Sequence, residues 1–111
     1  MLPLEITPQE VDRRLRAGEK LALIDVREPV EFQLAKIDGA ELVPLRSVPG
    51  ELSRLDALAG QTPLIVLCHH GVRSLNAVHW LREKGVDDCQ SMAGGIDRWS
   101  LEIDPSVPRY S

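Results

Sequence analysis

At 111 residues the chain has the length of one domain and can bury a core without disulfide or metal staples. Its 43% apolar, 27% charged and only 4% aromatic residues describe a soluble globular protein with a mostly aliphatic core. A net charge of −4 offers no basic stripe for nucleic acid, and the longest apolar run, Leu64 to Cys68, falls far short of the roughly 20 residues of a membrane helix. In chain order, "EIT" (5–7) reads as a short first strand. Thr7-Pro8-Gln9-Glu10 is a capping box with proline at the first helical position. Val11 and Leu15 then share a face, and Gly18 closes the helix. "LALID" (21–25) is a near-continuous apolar run, the mark of a parallel strand covered on both faces.

Glu28-Pro29 opens a short helix carrying Phe32 and Leu34, and Asp38-Gly39 breaks the chain before a strand at "AELV" (40–43). Leu52, Leu55 and Leu58 recur before Gly60 as a third helix. "PLIVLC" (63–68) is a buried strand, and residues 73–84 form a helix with Leu75, Val78 and Leu81 on one face. "CQSMA" (89–93) reads as the last strand, Gly94-Gly95 as a tight turn, and Ile96 to Trp99 as a final helical piece. Pro105 and Pro108 leave the tail irregular. The alternation predicts an α/β fold, a three-layer sandwich with a mostly parallel five-stranded sheet and helices on both faces. A single domain over 1–111 is expected, with a core over about 4–101 and a tail over 102–111.

The N-terminus has no positive segment followed by an apolar one, so no signal peptide is expected. Two cysteines, Cys68 and Cys89, make no disulfide framework, which favours a reducing, cytoplasmic setting.

The chemistry concentrates in "CHHGVRS", residues 68–74. In an open α/β sheet ligands bind at the carboxyl ends of strands, and Cys68 stands at such an end. Gly71 permits the sharp turn, and the free amides at the start of the next helix would converge on the sulfur. Those dipoles and the Arg73 guanidinium favour the thiolate, with His69 and His70 adding charge when protonated. A metal site is the weaker reading, because the only further ligands to join Cys68, His69 and His70 are His79 and Cys89, which no motif connects to them. His79 is expected at the surface or half-buried, Cys89 buried in the core, and Trp80 and Trp99 in packing roles.

The loop fits the pattern C-x-x-G-x-R-S and resembles the active loop of the rhodanese family. Three further segments are similar to that family's signatures, in the same order: "LIDVREPVEF" (23–32), "IDGAELVPL" (37–45) and "MAGGIDRW" (92–99). The resemblance implies a sulfurtransferase that moves sulfane sulfur from a small anionic donor such as thiosulfate to a thiophilic acceptor (cyanide, a thiol or a protein). It implies Cys68 as nucleophile and persulfide carrier, and a stabilising loop of His69, His70, Gly71, Val72, Arg73 and Ser74. Arg73 would attract the donor, Asp25 and Arg27 would organise the loop, and no metal or cofactor would be needed. Phosphatases and arsenate reductases of related fold hold one residue more between Cys and Arg. The tighter spacing here, residues 69 to 72, suits a persulfide sulfur better than a tetrahedral phosphate.

Two features qualify the match. Lys36 stands where the family commonly has histidine, in Ala35-Lys36-Ile37-Asp38-Gly39-Ala40. The ending "WSLEIDPSVPRY" resembles rhodanese domains fused to enzymes that activate sulfur-carrier proteins, which implies an alternative role passing persulfide sulfur to a specific partner with little thiosulfate turnover.

Overall fold

The computed structural model describes residues 2–111. Strands β1 (Glu5–Ile6), β2 (Ala22–Asp25), β3 (Glu41–Leu42), β4 (Leu64–Leu67) and β5 (Cys89–Met92) form one sheet in the order β1-β5-β4-β2-β3. Every pairing is parallel, with Ile24 opposite Val66 and Val66 opposite Ser91 across the centre. The connections carry helices α1 (Pro8–Arg16), α2 (Pro29–Leu34), α3 (Leu52–Ala59) and α4 (Val72–Glu83), and α5 (Gly95–Glu102) follows β5. Two short 3₁₀ turns, Leu45–Ser47 and Pro49–Glu51, lead into α3.

The continuous apolar strands follow from this layering. In β4, Leu64 and Val66 point with Cys68 into a core shared with Leu55 of α3 and Ala77, Val78 and Leu81 of α4. Ile65 and Leu67 point the other way, among Val11 of α1 and Ile96 and Trp99 of α5. The strand period of two thus feeds both cores from one run, and each fully buried Leu, Ile or Val contributes about 1.5–3 kcal/mol. The expected strand ends contract: Ala40 and Val43 flank β3, and Ala93 leaves β5 for the turn.

Helix α1 starts as its sequence suggests, with the Thr7 side chain accepting the Glu10 amide at 3.1 Å. Helix α2 is capped reciprocally by Glu28 and Glu31, but buries no residue: Leu34 is 55% exposed and Val30 64%. Helix α5 runs further than the Ile96–Trp99 piece expected, from Gly95 to Glu102, because Pro105 lies beyond its last turn. The tail after it is irregular yet anchored: Val107 is buried, and the Ser100 hydroxyl donates to its carbonyl. Among the described residues no helix is long and apolar enough to cross a membrane.

Candidate functional site

Cys68 follows β4 directly at its carboxyl end and is 1% exposed. Its Sγ accepts the Gly71 amide at 3.1 Å and the Ser74 amide at 3.3 Å. Of the loop amides expected to converge on the sulfur, these two make the hydrogen bonds. The turn depends on Gly71, whose φ of +101° lies in the left-handed region. There is also no room for a side chain, since a Cβ would stand 3.1 Å from the Gly94 nitrogen. Helix α4 begins at Val72, one residue earlier than expected, and Val72 itself is 69% exposed beside the sulfur loop.

The loop is buttressed from beneath by the second glycine turn. Helix α5 directs its first amides at the loop: Ile96 N–H donates to the Cys68 carbonyl at 2.8 Å and Asp97 N–H to the His69 carbonyl at 3.1 Å. Gly95 makes the approach possible, because a Cβ there would overlap both carbonyl oxygens. The Gly94-Gly95 pair therefore sets loop geometry as well as turning the chain.

The guanidinium of Arg73 makes a two-pronged ion pair with Glu31, Nη1 to Oε1 at 2.7 Å and Nη2 to Oε2 at 2.9 Å. The Arg73 bond holds the Glu31 carboxyl down at about 2, so the pair is intact at neutral pH, and Glu31 in turn raises the Arg73 pKa. The guanidinium expected to attract the donor is thus held against α2, with its positive charge matched by Glu31.

Asp25 and Arg27 form a fully buried ion pair at 2.7 Å, behind the site. Burial opposes the Arg27 charge, but bonds to Asp25 and Tyr110 outweigh it and raise its pKa. Removing either member of such a pair costs about 3–5 kcal/mol because a buried charge is left alone. Arg27 also donates to the carbonyls of Glu31 and Ala35 and to the Tyr110 hydroxyl at 3.0 Å. These bonds bypass the sulfur loop. They tie the strand end to α2 and the tail instead.

Tyr110 completes that route. Its hydroxyl donates to Glu31 Oε2 at 2.7 Å, and its carbonyl lies 3.0 Å from His69 Nε2. Burial, reinforced by the Glu31 charge, pushes its phenol up to about 12. The His69 ring is stacked on Tyr110, with centroids 4.0 Å apart, and the tilted His70 ring lies 3.8 Å from it. Desolvation, with the neighbouring His70 adding to it, lowers the His69 pKa. His70 is exposed.

Beneath the sulfur, the Ser74 and Ser91 hydroxyls meet at 2.7 Å and both residues are 0% exposed. The remaining cysteine, Cys89, is buried, with its thiol donating to the Val86 carbonyl, and burial pushes its pKa up. His79 is exposed on α4, and Lys36 is exposed with its Nζ 5.5 Å from the centre of the Phe32 ring. Among the described residues no group of three or more His, Cys, Asp or Glu is placed to hold a metal ion. Of the 68–74 loop the structure brings Gly71 and Ser74 to the Cys68 sulfur, and it adds Glu31, Tyr110, Ser91 and Gly95 around the loop. Glu31 lies inside the "DVREPVEF" segment and Tyr110 inside "DPSVPRY", but neither segment states its partner.

The family model described as Rhodanese-like domain matches residues 7–102. The chain is 38% identical over 105 residues to the probable adenylyltransferase/sulfurtransferase MoeZ of Mycobacterium tuberculosis, an alignment covering 95% of this chain and 26% of that protein. It therefore spans about a quarter of that relative's length. It is 30% identical to the thiosulfate sulfurtransferase GlpE of Shewanella oneidensis, over 78% of this chain and 82% of that one. Among solved structures, a rhodanese-like domain protein from Staphylococcus aureus superposes with a TM-score of 0.81 at 26% identity, covering 98% of this chain and 100% of the other.

Proposed function

The chain belongs to the rhodanese-like domain family, and from that membership we propose that Cys68 carries sulfane sulfur from a donor to an acceptor. The observation that carries this reading is the sulfur's position, held by the Gly71 and Ser74 amides at a strand's carboxyl end. Two fixed N–H dipoles suit a thiolate or persulfide and need no reorganisation when the charge appears. With thiosulfate, the Sγ thiolate attacks the outer sulfur. An S–S bond forms, the donor's own S–S bond breaks, and sulfite leaves with the electron pair. Cyanide then takes the terminal sulfur as thiocyanate and returns the Cys68 thiolate.

Intact mass tests this directly. Thiosulfate should add the mass of one sulfur atom, cyanide should remove it, and Cys68→Ser should show neither change. A mass that stays unaltered with thiosulfate and with a small-molecule persulfide overturns the proposal.

The Glu31–Arg73 pair favours a second reading. With its charge matched, Arg73 offers a dianion such as thiosulfate little net attraction. In that reading the domain passes persulfide sulfur to a protein acceptor and turns over thiosulfate slowly. The similarity to a relative whose name joins adenylyltransferase and sulfurtransferase supports it. Loading by a small-molecule persulfide at a rate far above that for thiosulfate is the expected result under this second reading. Equal rates favour the first.

A further inference from the structure

We propose that Ser91, on β5, is a positioning residue for the Cys68 sulfur, acting through the Ser74 hydroxyl. The proposal rests on Cys68 being the sulfur-carrying residue.

Proton accounting leads to it. Ser74 Oγ has a single proton and three neighbours: the Gly71 carbonyl at 3.2 Å, Ser91 Oγ at 2.7 Å and Cys68 Sγ at 3.4 Å. The Gly71 carbonyl is already served by the Leu75 amide at 3.1 Å, so it does not require the Ser74 proton. Ser91 Oγ, fully buried, has Ser74 Oγ as its hydrogen-bond partner among the described residues. Its proton therefore has its place on Ser74 Oγ, since a buried hydroxyl without an acceptor is costly. With that lone pair engaged, Ser74 is left free to donate to the sulfur.

The chain of hydroxyls then runs Ser91 to Ser74 to Sγ and supplies a third donor beside the Gly71 and Ser74 amides. When the sulfur carries a proton it donates to Ser74 Oγ, and Ser74 turns its own proton to the Gly71 carbonyl while still accepting from Ser91. Both hydroxyls are shielded from water, where hydrogen-bonded chains polarise one another most effectively. The sheet fixes the geometry: Ser91 is in register with Val66, two residues before Cys68, and its amide donates to the Leu4 carbonyl at 2.8 Å.

The test is a pH titration of the ultraviolet thiolate absorbance, with Cys68→Ser as the blank, so that Cys89 cancels. It reads the sulfur itself and needs no sulfur donor, so its outcome is separate from whether the protein transfers sulfur. Ser91→Ala should move the midpoint upward by about half a pH unit, the scale of one weakened hydrogen bond to an anion. Ser74→Ala should move it at least as far, and the double variant no further than Ser74→Ala. Ser91→Thr, which keeps the hydroxyl, should titrate as the unaltered protein and provides a second folded variant. An unmoved midpoint in Ser91→Ala overturns the proposal, as does an additive shift in the double variant.

Discussion

The Tyr110 ring lies parallel to that of His69, 11° from coplanar with centroids 4.0 Å apart, although 41 residues separate them in the chain. The same tyrosine donates its hydroxyl to Glu31, the carboxylate that grips Arg73. The tail is thus a structural part of the sulfur loop's surround, with one contact on each side of the loop.

Removing the hydroxyl while keeping the ring isolates half of that arrangement. Tyr110→Phe should lose about 1.5–3 kcal/mol of stability, the range for a hydrogen bond to a charged group. Tyr110→Ala should lose more, because the stack on His69 goes too, a contribution of about 0.5–1.5 kcal/mol. Urea unfolding of the three proteins checks the order, and equal midpoints would show that the tail does not help hold the fold.

The matched pair Glu31–Arg73 makes a directional prediction for an anionic donor. Arg73→Ala leaves the Glu31 carboxylate without its counter-charge beside the 68–74 loop and should raise the KM for thiosulfate. Glu31→Gln frees the guanidinium charge and should lower it. Each change is expected to be about fivefold, corresponding to about 1 kcal/mol for one charge at short range in a partly solvated site. Steady-state kinetics with cyanide as acceptor measure both, and changes of the same sign would refute the electrostatic account.

Acid stability follows from the same carboxylate. The Glu31 pKa is depressed from 4.5 to about 2 in the folded chain by its bond to Arg73. The unfolded state therefore takes up the proton first, so this stabilisation is complete above about pH 4.5 and disappears as pH falls through about 2. The stability difference between the unaltered protein and Glu31→Gln should shrink across that window. Thermal melts at several pH values would show it, and a constant difference would rule out the pair as its source.

Gly95→Ala is expected to be severe. A Cβ there would overlap the Cys68 and His69 carbonyl oxygens, and the φ of +63° disfavours any side chain. Strain of this kind alone costs about 1–3 kcal/mol, and relief would require α5 to back away from the loop. Stability should fall by at least about 2 kcal/mol, with thiosulfate-dependent persulfide yield falling alongside it. Gly50→Ala, where nothing lies within 4 Å, is the control and should match the unaltered protein.

Local patterns in the sequence determine the alternation of strand and helix, the apolar runs of β2 and β4, the capping of α1 and the count of residues between Cys68 and Arg73. Each depends on hydrogen bonds or side-chain periods within a few residues, so the order of residue types contains it. Only the tertiary structure decided what surrounds the sulfur. Arg73 finds Glu31 from 42 residues away, Glu31 finds Tyr110 from 79, and Ser74 finds Ser91 from 17. Those partners meet because parallel strands bring successive carboxyl ends to one edge, and α5 and the tail then close over it. A carboxylate in α2 or a tyrosine in a proline-broken tail looks like any solvated residue until that edge is assembled. The physical reason is that charge and hydroxyl groups show no period of their own, and the fold supplies their partners.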